Sequence, residues 1–167
     1  IRDRIRGVER GEVHRGEVVG MIQAPVAELA AIILDYENLG EWSPAAYDVH
    51  IIERNDGSMV ASGKTALPWP ITDRTWHNRA THGTEVVDGV ECFVNRWAYV
   101  PGSGNMDDTY GYWLLYPYPT DTTYTVIRYV GYADPGIALP DFVIDWATRR
   151  ALPGIILNLR ARHDELH

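Results

Sequence analysis

Between Val49 and Asp134 the chain alternates strand-like runs with turn signals, and one long helical pattern, Pro140 to about Arg162, follows them. That imbalance constrains the fold more than any other feature. A sheet of antiparallel strands has an apolar face to bury, and only the last helix is long enough to cover it. The expected class is α+β, a curved antiparallel sheet wrapped around a long C-terminal helix with a cavity between them.

The runs are separated by recognisable turn chemistry. Val49–Glu53 leads into Asn55-Asp56-Gly57, a hairpin signal, and Met59–Leu67 returns with Met59, Ala61, Gly63 and Thr65 on one face. Further strands are expected at Asp73–His82, Glu91–Val100, Met106–Tyr116 and Thr123–Ala133. Upstream, Glu12–Gln23 alternates as a strand. Pro25 then opens a helix at its first position, where a missing N–H costs nothing. Val26, Leu29, Ala30, Ile33 and Leu34 carry the helical spacing towards Asp35–Asn38. In the last helix Ile144, Ala147, Thr148, Ala151, Ile155 and Leu159 form a continuous stripe, and Pro153-Gly154 is expected to kink or break it. Residues 1–10 are polar and expected to fray, whereas residues 11–167 contain no linker or repeat and read as a single domain.

Composition removes several function classes. A formal charge of −8 disfavours nucleic acid and a polybasic membrane surface, since phosphate neutralisation needs clustered cations. Lys64 is the only lysine. Cys92 is the only cysteine, so no internal disulfide forms, and beside Val94 in a strand it reads as a small buried hydrophobe. No apolar run approaches the ~20 residues that span a bilayer. The chain is expected to be soluble and monomeric. It opens on Ile1 rather than Met, which leaves a lost signal peptide, and so the choice between periplasm and cytoplasm, open.

Searches for catalytic motifs return nothing: there is no G-x-S-x-G elbow, H-E-x-x-H helix or phosphate-binding loop. Asp107 and Asp108 are neighbours on a strand and point to opposite faces, so they cannot share a proton. His163 and His167 have the spacing of metal ligands on a helix, but no third ligand is evident and they read as a solvated tail. No metal or cofactor is expected.

Two stretches carry a family resemblance. Leu67-Pro68-Trp69-Pro70-Ile71-Thr72-Asp73-Arg74 resembles the proline-rich loop and Asp-Arg that open a central strand in bacterial START domains. Tyr112-Trp113-Leu114-Leu115-Tyr116-Pro117, Asp134-Pro135-Gly136, Leu139-Pro140, Leu152-Pro153 and Leu159-Arg160 are similar to the ending of that family. Ile22-Gln23-Ala24-Pro25 and Asp35-Tyr36 match the wider START, polyketide-cyclase and Bet v 1-like helix-grip superfamily. The resemblance spans about Gly16 to Arg162. It implies a hydrophobic tunnel between sheet and C-terminal helix, gated by a loop beside that helix. The implied function is binding, and transfer, of a sterol-like or other lipid, with transient membrane contact. The alternative is a cyclase or aromatase acting on a polyketide.

Candidate ligand contacts follow. Arg74, Trp76, Asn78 and Ala80 share a face, which the resemblance makes the cavity face. Some lipid-carrying START domains place a buried acid and arginine on the strands that correspond to Met59–Leu67 and Asp73–His82. The matching positions here are Ala61 and Ala80, so the resemblance gives no polar anchor there and the next hairpin is the alternative source. Arg96, Asp108, Tyr110 and Tyr112 share a phase and are assigned to the cavity, with Arg96 and Asp108 as a buried pair; the opposite assignment turns Trp97 and Trp113 inward. Thr148 and Ile155 are contributed by the helix stripe, and Trp69 by an apolar loop expected to act as the gate.

Overall fold

The structure is a computed structural model that describes residues 2–6 and 12–167, with side chains from His14 onward. Its strands are β1 (Arg2–Arg6), β2 (Glu12–Ile22), β3 (Ala46–Asn55), β4 (Ser58–Thr65), β5 (Arg74–Val87), β6 (Val90–Tyr99), β7 (Asp108–Pro117) and β8 (Thr125–Asp134). They form one antiparallel sheet in the order β1-β2-β8-β7-β6-β5-β4-β3. The meander expected from Val49 onward is present. Part of the N-terminal segment expected to fray is instead a strand, because Arg2–Arg6 pairs with Glu12–Gly16. Ile1 and residues 7–10 of that segment lie outside the described residues.

Between β2 and β3 come α1 (Val26–Leu34), a 3-10 turn (Tyr36–Asn38) and α2 (Leu39–Trp42). Pro25 caps α1 from just outside it, in extended backbone, rather than occupying its first helical position. After β8 the chain forms α3 (Asp141–Trp146), a π-helical turn (Ala147–Ala151) and α4 (Leu152–Leu166). The break expected at Pro153 is thus displaced by one turn. Pro153 sits in the first turn of α4, where its missing N–H costs little, and the π-turn just before it absorbs the irregularity. Among the described residues no helix is long and apolar enough to cross a membrane.

The position of α4 over the sheet is set by two glycines. A Cβ on Gly16 would lie 2.9 Å from Leu152 Cδ2, and one on Gly20 would lie 2.7 Å from Ile156 Cγ2. Both distances are too short for real Cβ contacts, so a side chain at either position would push Leu152 or Ile156 aside. Ile156 and Leu159 then join Ile22, Leu29, Ile33, Trp113, Leu115 and Ile127 in the larger core cluster. A second cluster of Tyr36, Val49, Met59, Ala61, Trp76, Ala80 and Tyr99 fills the β3–β6 end of the sheet.

On β2, Glu17 is 11% exposed and ties two strands together, accepting from Arg15 and from Arg128 Nε of β8 at 2.7 Å. The Arg15 hydrogen bond chiefly holds its carboxyl below the usual value of 4.5, against a smaller opposing effect of burial. A depressed carboxyl contributes stability above its unfolded pKa and loses it as pH falls through the folded one. Glu17→Gln should therefore lower stability by about 1 kcal/mol at pH 7. In thermal melts the gap to the unsubstituted protein should narrow steadily below pH 4.5.

Candidate functional site

Between the sheet, α2 and the C-terminal helix lies a cavity of about 380 Å³. Its wall is mostly apolar: Ile33, Leu39, Trp42, Trp76, Trp97, Met106, Trp113, Val143, Ile144, Leu152 and Ile155 all contribute. Cross-strand pairing explains how large aromatic rings lie flat here. Trp76 stands opposite Gly63 and Trp97 opposite Gly111, and a Cβ on either glycine would fall 2.5 Å from the indole. Tyr129 stacks on Trp97 at 5.4 Å and meets Trp113 edge-on at 4.9 Å, and Trp42 continues the row at 6.3 Å from Trp113. These contacts hold an aromatic wall rigid without filling the space in front of it.

The polar groups in this wall are few. Arg74 is 8% exposed and makes no ion pair or hydrogen bond among the described residues; its Nε is buried without a partner. Asn78 Oδ1 and Trp42 Nε1 are likewise buried and unpartnered. A buried polar atom left unpaired costs about 1–3 kcal/mol, so these three are energetically costly features of the wall. Tyr36 is different: its hydroxyl donates to Asn95 Oδ1 at 3.0 Å, and Asn95, itself fully buried, donates to Thr81 O at 3.4 Å. Burial pushes the Tyr36 phenol up to about 12, and burial also raises Tyr129, so both stay neutral at physiological pH.

Of the residues nominated from sequence, Arg74, Trp76, Asn78, Thr148 and Ile155 lie in this wall. Thr148 Oγ1 donates to Ile144 O at 2.8 Å inside the irregular helix segment. Arg96, Asp108, Tyr110 and Tyr112 do share a face, but it is the outer one. Arg96 is exposed and forms a bidentate pair with Glu85, Asp108 is exposed, and Tyr112 sits across from Arg96. Tyr110 stacks on Tyr132 at 4.5 Å, with the Arg15 guanidinium 5.9 Å from the Tyr132 ring. The physical reason is burial: alternation turns either Asn95, Trp97 and Trp113 or Arg96 and Asp108 inward, and the aromatic face gains from packing while Arg96 pairs with Glu85 on the outside. Tyr36, Trp42, Asn95 and Tyr129 were missed, because their polar atoms sit on positions that read as core.

Trp69 does not reach the cavity either; it is 89% exposed. Its loop is fastened at the base, where Asp73 accepts from Tyr47 Oη and from Leu67 N at 3.2 Å, while Leu67 contributes to the cavity wall. Ala61 and Ala80 are buried and apolar. Cys92 is 2% exposed, and burial raises its thiol, in keeping with a packing role.

The sequence matches the family model described as polyketide cyclase / dehydrase and lipid transport over residues 22–160. The chain belongs to that family. No curated protein matches it. Among solved structures, the fold is similar to a STAR-related lipid transfer protein from Xanthomonas axonopodis, at 19% identity and a TM-score of 0.73 over 98% of both chains. It is similar to the Zhui aromatase/cyclase from Streptomyces sp. R1128, at 13% identity and a TM-score of 0.67, covering 91% of this chain and 94% of that one. Human STARD10 is a third such structure, at 15% identity and a TM-score of 0.66, covering 97% of this chain and 72% of that one. At these identities the likeness establishes a START-like helix-grip fold. Family and fold together support a hydrophobic ligand in the cavity.

Two outcomes test the wall as described. Tyr36→Phe should cost about 1–3 kcal/mol in denaturant unfolding, because it leaves the buried Asn95 oxygen unpaired. Arg96→Leu and Asp108→Asn should each lower Tm no more than ordinary surface substitutions do, and their effects should add.

Proposed function

We propose that the chain binds, and carries between membranes, one hydrophobic molecule whose single polar end contacts Arg74. The observation that supports this reading is the Arg74 side chain, 8% exposed in a mostly apolar cavity wall and forming no ion pair among the described residues, with its Nε buried and unpartnered. A guanidinium in a mostly apolar wall gains from a partner, and an acceptor oxygen on a ligand would supply one. Asn78 Oδ1, on the same face of β5, is placed to accept from a ligand hydroxyl. A volume of about 380 Å³ lies within the ~300–1,000 Å³ range of small-molecule pockets and suits a single occupant, sterol-like or acyl.

In this reading one wall moves as the ligand enters and leaves. The π-turn Ala147–Ala151 interrupts the helix pattern beside the cavity, so α3 and α4 form a natural hinge there. Trp69 presents an exposed indole on the loop that follows Leu67, the type of side chain that settles at a membrane interface. In this reading the indole touches the bilayer while the helix bends.

A cyclase or aromatase reading is favoured by one observation, the neutral Tyr36 phenol in the same cavity wall as Arg74 and Asn78. Asp108, the acid that the sequence assigns to the cavity, is on the opposite face of the sheet and cannot serve such a reaction. Carriage therefore explains more of the site than catalysis does.

Arg74→Met is the direct test. It should weaken binding of a fluorescent long-chain carboxylate by about 10- to 100-fold, the loss of one charge-assisted hydrogen bond, and weaken the matching hydrocarbon little. Equal affinity for the carboxylate in both proteins would refute the assigned polar end. Separately, Trp69→Ala should slow lipid transfer between vesicles without changing equilibrium binding. An unchanged transfer rate would remove the loop from the mechanism.

A further inference from the structure

Away from the cavity, α1 and α4 bring together a group of side chains that ligand binding does not use. Glu28 lies in the first turn of α1, and His163 and His167 lie one turn apart at the end of α4. The histidines are not the solvated tail that their terminal position suggests. His163 is 8% exposed, and its Nε2 stands 2.7 Å from Glu28 Oε2. His167 Nε2 is 3.9 Å from the same oxygen, and the two imidazoles stack at 4.5 Å. One ligand atom from each of the three residues lies within 4.8 Å of the others.

We propose that Glu28, His163 and His167 form a binding site for a divalent transition cation of the zinc type. The donor set, two imidazoles and one carboxylate, suits such an ion and not Mg2+ or Ca2+, which prefer oxygen shells. Around a tetrahedral zinc with ligands at ~2.0–2.1 Å, donor atoms sit about 3.3 Å apart. The observed separations bracket that value, and the exposed His167 can close the remainder by rotating its ring. The tautomer of His167 is also set from behind. His167 Nδ1 is 3.2 Å from the His163 carbonyl, so it donates there and leaves Nε2 as a bare lone pair. His163 Nδ1 is buried with no hydrogen bond, and the Asp164 carboxylate 3.7 Å away is placed to support a proton on it when Nε2 faces a metal.

The site would staple the far end of α4 to the start of α1. None of its residues lines the cavity, so the ion acts on the mobility of the wall and not on ligand chemistry. With α4 pinned at His163 and His167, bending is confined to the π-turn at Ala147–Ala151.

The test uses untagged protein stripped of metal with a chelator, then titrated with ZnCl2 in a calorimeter. One saturable equivalent of zinc per chain should bind, and a modest excess should raise Tm by several degrees, while MgCl2 does neither. His167→Ala should keep the metal-free Tm, because that side chain is 44% exposed, yet lose both the heat and the shift. Glu28→Gln preserves an acceptor for His163 and should also lose zinc. Absence of saturable binding, or binding and a Tm shift that survive in His167→Ala, would overturn the proposal.

Discussion

The close seating of α4 on β2 is the constraint on which the remaining structure depends. Gly16 and Gly20 let Leu152 and Ile156 approach the strand closely enough that an added Cβ would force those side chains to shift. With α4 drawn down onto one flank of the sheet and α1 packed against Leu115 and Ile127, part of the concave face is left uncovered. That face is then closed at a distance by α2, α3 and the π-turn, and the gap between is the cavity. A bulky residue at either glycine would lift the helix and change the cavity's shape before it changed any lining residue.

The empty space persists because its wall is stiff. Trp42, Trp113, Tyr129 and Trp97 brace one another in a row, and Trp76 and Trp97 lie over glycines on neighbouring strands. Dispersion contacts that a collapsed core would seek are already satisfied among the rings themselves. Tyr36, Asn95 and Thr81 O form a closed polar chain that needs nothing from a ligand. Arg74 and Asn78 are left open, so the wall separates polar groups that support the fold from those available to an occupant.

Much of the fold was legible because strand alternation and turn residues repeat from Val49 to Asp134, and the one long helix has a clean stripe. The Arg74, Trp76, Asn78 and Ala80 face was legible for the same reason, once the resemblance said which way it pointed. Phase alone could not orient the β6–β7 hairpin, since alternation sorts residues into two faces without naming the inner one. What decides it is which face packs against the helices, and there Trp97 and Trp113 join the core cluster while Arg96 pairs with Glu85 outside. Pairing also hid the Glu28–His163 contact, whose partners are far apart in sequence and meet through the α1–α4 packing. The strand at Arg2–Arg6 escaped because its polar residues show no buried face to an alternation test.

The central claim is that the cavity holds one apolar molecule and releases it unaltered. Native mass spectrometry of the purified chain, with extraction and identification of whatever co-purifies, tests it most directly when Ile155→Trp is measured alongside. Ile155 lies in the cavity wall, so the larger side chain occupies the space without disturbing the sheet. The account predicts one hydrophobic molecule per chain, recovered chemically unchanged after long incubation and absent from Ile155→Trp. Equal loading of Ile155→Trp, or recovery of a cyclised or dehydrated product, would contradict it.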